Sequence, residues 1–458
     1  MRKNTFLILT ICCLSLMVAS CAKRAEHTKV ILDPPISVPT VITPEYDPEW
    51  NQGVTLTESA ITWLTYDYEL DRNHSVKAGS FDGKTIVARE FKTYTIENEY
   101  LKLTLVPDFG GRIISMIYKP TGHEELYQNP VGAPYLIGDQ IFYHDWLMVW
   151  GGIFPTFPEP EHGKTWLLPW EFEVLNNDGK VVEIEMSFTD DIDNPNAHWN
   201  YPTGKTGIIC RYRVRLEAGR AAFDTHVELE NPAISPRAYE YWTNTSLAPG
   251  SEPGNAYTDE NAEIIVSIQE VRLPPWYYDL AIEETPSEED RVVVLDKLRW
   301  FKNWHQEGIL YAYPNMDGHN FWGVINHANQ EGIFRIADNT KTPGLKFWTF
   351  GVDSLKVDPF SEARSSRPFI ELWAGRTEEF FEKTVLMSDQ IFEFEETFAP
   401  SVGLTDVNAA TENVLLHGFW DDEEQFTLQW FVMNPELEIT IRLIQSDTLV
   451  IQQTTQPD

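Results

Sequence analysis

Positive charge is scarce in this chain. Thirty-five lysines and arginines stand against 70 aspartates and glutamates, for a formal net charge of −35. Such a surface is not drawn to nucleic acid or to an anionic membrane face, so no nucleic-acid partner is expected. It also argues mildly against a polyanionic polysaccharide as ligand, although a local basic pocket can override that. Cysteine is scarcer still, with four in 458 residues. No cysteine or histidine spacing suggests zinc, no glycine-rich loop suggests a phosphate cradle, and no internal repeat is found. The acidic pairs Asp190-Asp191 and Asp421-Asp422 read as solvated turns, so neither a metal nor a cofactor is expected. Residues 6–18 form an apolar run too short to span a bilayer.

That run follows Arg2 and Lys3 and ends in Val18-Ala19-Ser20-Cys21, the flanks of a signal peptide. The ending resembles the lipobox of bacterial lipoproteins, which implies cleavage after residue 20 and lipid on Cys21. The alternative is a soluble secreted protein with an ordinary cleavage site. The lipoprotein reading implies a membrane partner through the N-terminal lipid. It places the protein in the cell envelope, at the outer membrane, on its periplasmic or surface face. Cys12 and Cys13 would leave with the leader, so only Cys210 would remain as a thiol and no intrachain disulfide would be possible. Oligomeric state is left open.

Residues 21–55 carry prolines at 34, 35, 39, 44 and 48 and read as a tether. From about residue 56 the texture becomes short alternating runs. In GIICRYRVRLE, Tyr212, Val214 and Leu216 alternate with Arg211, Arg213 and Arg215, the period of a half-buried strand. AAFDTHVELEN follows after a short glycine-containing link, which predicts a hairpin, with Cys210 buried in its first strand. One helix is expected within residues 287–308, with Ser287 as cap and Gly308 as stop. Four further strand-like runs after Pro400 predict a small C-terminal β-module. The expected plan is all-β: a leader over 1–20, a tether over 21–55, a large β-domain over 56–399 and the module over 400–458.

Aromatic residues concentrate between positions 142 and 170. Eight of these 29 residues are Phe142, Tyr143, Trp146, Trp150, Phe154, Phe157, Trp166 and Trp170, about twice the 13% of the whole chain. Sugars pack their C–H faces on such rings and need charged or amide partners for their hydroxyls. His144, Asp145, Glu159, Glu161, His162 and Lys164 supply them in the same segment. The competing reading is that most of these rings are core. Trp170, after Pro169, is expected to start a strand and pack.

ENEYLKLTLVPDFGGRIISMIYKPTGHEELYQNPV resembles the opening of a galactose-mutarotase-like domain, and PEHGKTWLLPWEF is similar to an aldose-epimerase stretch. GVINHANQEGIFRIADNTKTPGLKFWTFG and RPFIELWAG resemble one branch of that superfamily. It is the family called domain of unknown function 5107, found in exported bacterial proteins and near sugar-degrading enzymes. The resemblance covers roughly residues 85–400 and implies a β-supersandwich with a sugar cleft on a concave face. It places Glu371 at the general base and His162 at the histidine that orients substrate. Arg112, Trp150, Glu161, Trp166, Asn244, His327, Lys346 and Trp348 are the residues expected to contact the sugar.

Ring opening needs a base for the anomeric hydroxyl and an acid for the ring oxygen. The second histidine of the mutarotase pattern falls at Trp242-Thr243-Asn244-Thr245, where this chain has no imidazole. Amide and hydroxyl groups do not replace it near neutral pH. His144, His305, His319 or His327 are other candidate acids, and His327 also reads as a polar residue at a strand end. Glu371 has its own structural alternative, an ion pair with Arg367, Arg376 or Lys346. Three readings follow: a carbohydrate-binding protein for a mono- or oligosaccharide, a carbohydrate-active enzyme (hydrolase, lyase or epimerase), or a non-catalytic structural lipoprotein. Hydrolysis would require a second carboxyl group across the bond, with Glu161, Glu159 or Asp145 the first to consider.

Overall fold

The computed structural model describes residues 8–13, 40–42, 50, 52–69, 77, 79–80, 85–128, 151–159, 163–166, 168–192, 204–274, 291–305, 308–352, 368–420, 426–435, 437–445 and 448–454. Two large antiparallel sheets dominate. The eight-stranded sheet runs Ala262–Ile265, Phe321–Asn326, Glu331–Ala337, Ile391–Val402, Phe223–Glu230, Ile209–Glu217, Val181–Thr189, Glu171–Asn177. The twelve-stranded sheet has at its centre Gly308–Tyr313, Gly344–Phe350, Phe369–Gly375, Trp242–Ser251, His123–Leu126 and Arg112–Tyr118. Gly152–Thr156 bonds to the last strand and to Trp242–Ser251. The expected β-supersandwich class is therefore what is found.

Period-2 alternation explains how the sheets meet. Tyr212, Val214 and Leu216 are buried, the intervening arginines are half-buried, and the hairpin partner Phe223–Glu230 alternates in the same way. Their inward faces join Ile113, Ile153, Leu247, Leu345, Phe347, Ile370 and Leu372 of the opposite sheet in one core. Cys210 lies in that core. A buried ion pair within the eight-stranded sheet is tied to the opposite sheet by a threonine. Arg335 Nε donates to Glu396 Oε1 at 2.5 Å, and Glu396 Oε2 accepts from Thr225 and from Thr243 of the opposite sheet.

Three expectations need correction. Residues 291–305 form no α-helix; Val292–Val294 is a strand, followed by the 3-10 turns Asp296–Arg299 and Phe301–Asn303. Three consecutive valines favour the pleated surface and find a partner in Glu270–Arg272. The Pro-rich segment is docked at its described points. Thr40–Ile42 pairs in parallel with Phe426–Val432, and Val54 is in the main core. Asp190 is no solvated turn. It is buried and binds Lys164 Nζ at 2.9 Å.

After Ile391–Val402, Ala409–Thr411, Val414–Trp420 and Phe426–Val432 form a four-stranded sheet with Thr40–Ile42. One face makes its own small core from Val414, Leu416, Leu428 and Trp430. Leu415, Phe431 and Met433 join the main core instead. Ile8–Cys13, within the expected leader, pairs antiparallel with Ile439–Gln445.

Candidate functional site

The same alternation that fills the core sends every second residue of the central strands to the other face of the twelve-stranded sheet. Ile370 and Leu372 point into the core, so Glu371 and Trp373 point away. Leu345 and Phe347 leave Lys346 and Trp348 on that outer face. Ile153 leaves Phe154, Ile113 leaves Arg112, and Leu247 leaves Ser246 and Asn244. Register brings these positions side by side. Glu371 lies opposite Ser246 on one flank and Trp348 on the other, Lys346 lies opposite Trp373, and Asn244 lies opposite Phe154.

Glu371 is the centre of this layer. Its Oε2 accepts from Trp373 Nε1 at 2.8 Å, and its Oε1 accepts from Ser246 Oγ at 3.1 Å and Asn244 Nδ2 at 3.4 Å. Asn244 Oδ1 lies 3.2 Å from the same Ser246 hydroxyl, so the single Ser246 proton is shared between the amide oxygen and Glu371. Burial raises the Glu371 carboxyl above its usual range. The charge of Lys346 and the bonds from Trp373, Asn244 and Ser246 oppose that rise. Lys346 Nζ sits 3.6 Å from the centre of the Trp373 ring and 4.6 Å from that of Phe380. Arg112 is fully buried, and burial pushes it down to about 9 while the Glu371 charge pulls the other way. Its guanidinium donates to the carbonyls of Gly151 (3.0 Å) and Trp166 (3.4 Å) and lies 3.6 Å from the Phe154 ring centre.

Around the polar centre is a ring of aromatics. Trp242, Tyr311, Trp373 and Phe380 form one buried cluster, and Tyr127 and Phe369 stack at 4.1 Å in another, with Trp348 against both. Of the residues expected from the sequence, the structure gathers Glu371, Lys346, Trp348, Asn244 and Arg112, and Trp166 reaches Arg112 through its backbone carbonyl. Sequence reasoning missed Ser246, Trp373 and Trp242, while Phe154 comes from the aromatic-rich segment already singled out. The first two lie two residues beyond Asn244 and Glu371 along their strands, so a period-2 walk from each named residue finds them.

Trp166 is buried, and its backbone lies so close to Gly110 that a Cβ there would fall 2.1 Å from its carbonyl oxygen; Gly110 also has φ +76°. Only glycine suits that position. Lys164 anchors the same loop from within, bonding Asp190 and the carbonyls of Ile192 and Gly204. Glu159 lies 3.9 Å from Lys164 Nζ, which assigns this carboxylate to the loop anchor. Trp170 packs in the core as expected. His162, Glu161, Trp150, Asp145, His144, Arg367 and Cys21 lie outside the described residues.

His327 is not among the residues gathered around Glu371. It follows Phe321–Asn326 of the other sheet, where its Nε2 meets Glu263 Oε2 at 2.8 Å and its ring lies 4.8 Å from that of Trp300. A turn residue takes its neighbours from the sheet it leaves, and that sheet is not the one that carries Glu371. Arg376 is also not the partner of Glu371; it donates to the Lys341 carbonyl and covers Phe392. Among the described residues, the charges acting on Glu371 are those of Lys346 and Arg112.

Chemically, the cluster presents a buried carboxylate with three donors already placed on it. A carboxylate offers about four lone-pair sites. Glu371 thus presents acceptor oxygens beside rings suited to a sugar's C–H face.

Known structures share this architecture. A TPR-domain containing protein from Parabacteroides distasonis ATCC 8503 superposes with a TM-score of 0.59 at 16% identity, over 82% of this chain and 60% of that one. This chain thus spans about three fifths of that protein's length. A candidate aldose 1-epimerase from Klebsiella pneumoniae subsp. pneumoniae MGH 78578 superposes with a TM-score of 0.50 at 15% identity, over 75% of this chain and 91% of that one. At these identities the likeness shows the fold alone. The family model described as "Domain of unknown function (DUF5107)" matches residues 78–402, most of the chain, and the chain belongs to that family.

Proposed function

We propose that this is an exported, lipid-anchored carbohydrate-binding protein whose ligand sits on the outer face of the twelve-stranded sheet at Glu371, acting in glycan breakdown or uptake. One observation carries the reading: a buried carboxylate with three hydrogen-bond donors, Lys346 and Arg112 in electrical contact, and a surround of tryptophans. Such a mixture of apolar rings and few convergent polar groups is how small-molecule sites are built. The strand Trp242–Ser251 supplies an amide and hydroxyls but no imidazole beside Glu371, which favours recognition over ring opening. His162 is proposed to hold a sugar hydroxyl on the adjoining loop, with Glu161 and Trp150 beside it.

A second reading keeps Glu371 as the general base of a carbohydrate-active enzyme. The upward push on its carboxyl favours this reading, because a base works best near ambient pH. A crystal soaked in mixed oligosaccharides tests the proposal. Sugar density in contact with Glu371 supports it, and density only elsewhere, or a cleaved product at Glu371, rejects the silent binder. The lipid anchor has its own test: radiolabelled palmitate should enter the wild type in a bacterial host and not the Cys21→Ala variant.

A further inference from the structure

The outer face of the eight-stranded sheet is remote from the Glu371 layer and carries a different kind of chemistry. Val227 and Phe394 point into the core, so His226 and Glu228 point outward beside Glu393 and Glu395. Register places His226 directly opposite Glu395, and Glu228 directly opposite Glu393. We propose that His226, Glu228 and Glu393 form a site for a divalent transition metal, with Glu395 orienting the imidazole.

Four observations support the site. One ligand atom from each of His226, Glu228 and Glu393 lies within 4.8 Å of the other two, so small side-chain rotations bring all three to bonding distance of one ion. His226 Nε2 is shielded from solvent and makes no hydrogen bond among the described residues, yet it lies 3.5 Å from Glu393 Oε2. Nδ1 of the same ring is 3.5 Å from Glu395 Oε1. A neutral imidazole with its proton on the Glu395 side would turn a bare lone pair toward a carboxylate, and a cation between them removes that repulsion. A carboxylate behind the ring is the usual support of a metal-bound histidine.

The fourth observation is the pairing of Glu228 with Glu393. Like charges directly opposite on neighbouring strands repel. Arg211 and Arg213 meet the two oxygens of Glu228, which fixes its position and balances its charge, so the charge left over is that of Glu393, which meets the His226 ring. His226, Glu393 and Glu395 line a cavity of about 620 Å³ shared with Asn320, Lys341 and Thr397. That cavity gives an ion an entry path and room for water in its open positions. One imidazole with carboxylates suits Zn²⁺, Ni²⁺ or Mn²⁺, with Ni²⁺ and Zn²⁺ bound more tightly than Mn²⁺.

Calorimetry of the full chain with zinc chloride tests this, backed by anomalous diffraction at the zinc edge from a soaked crystal. One Zn²⁺ should bind per chain with its anomalous peak at His226 Nε2. His226→Ala and Glu393→Gln should each weaken binding at least about 10-fold, and Glu395→Gln about 10-fold through the ring's orientation. Should His226→Ala melt early, Glu393→Gln carries the test. No binding up to about 1 mM Zn²⁺, equal binding by Glu393→Gln, or a peak elsewhere would overturn the proposal.

Discussion

Trp373 Nε1 donates to Glu371 Oε2 at 2.8 Å from two positions along the same strand, and the same indole carries Lys346 Nζ on its face. One side chain thus serves both the carboxylate and the cation of the site. Trp373→Phe keeps a ring for Lys346 and removes the donor from a buried carboxylate. The expected cost is about 1–3 kcal/mol in denaturant melts. The Glu371 carboxyl should rise further, because a bond that favours its charged form is gone. Unchanged stability together with an unchanged Glu371 titration would contradict this role.

Glu125 predicts a pH dependence. It is buried, and burial with the nearby charges of Glu331 and Glu124 raises it well above the ordinary carboxylate range, against a contact from the Gly250 backbone N–H. Glu124 beside it is raised to about 7 by burial, against bonds from Ser115, Met116 and Leu126. A carboxyl raised in the folded chain keeps a proton that the unfolded chain releases. Its contribution is therefore fully favourable below the unfolded value and is lost as pH rises toward the folded one, at about 1.4 kcal/mol per pH unit per group. Glu125→Gln should match the wild type near pH 5 and exceed it at pH 8. Parallel stability curves for the two proteins would show that Glu125 does not titrate in this way.

The Arg335–Glu396 pair predicts the opposite response to neutralisation. Both side chains are fully buried, and Arg335 also bonds Asn339 and Thr342. Glu396→Gln leaves a guanidinium without its counter-charge and should cost about 3–5 kcal/mol. The double change Arg335→Met with Glu396→Leu removes both charges and should recover most of that loss, as followed by urea unfolding. Because Thr243 links Glu396 to the strand that carries Asn244, the single variant should also loosen the Glu371 site.

The fold was legible because strand alternation is local. The hairpin of Ile209–Glu217 and Phe223–Glu230 could be read from arginines alternating with apolar residues. Glu371 was legible as a charge inside an apolar strand, and Lys346 and Asn244 as polar residues within their own motifs. The partners were harder, since Ser246 meets Glu371 across 125 residues of sequence and only sheet order reveals it. His327 was misplaced for the same reason: sequence does not say to which sheet a turn residue belongs. The expected helix near residue 300 failed because acidic residues and a serine imitate a helix start, while the valine run is claimed by a neighbouring strand.

The central claim is that a sugar binds against Glu371, and titration calorimetry against a panel of mono- and oligosaccharides tests it most directly. At least one glycan should bind the wild type. Glu371→Gln, with melting confirming that it is folded, should bind the same glycan at least about 10-fold more weakly, the loss of one charged hydrogen bond. A panel with no binder, or a glycan held equally well by Glu371→Gln, would contradict the account.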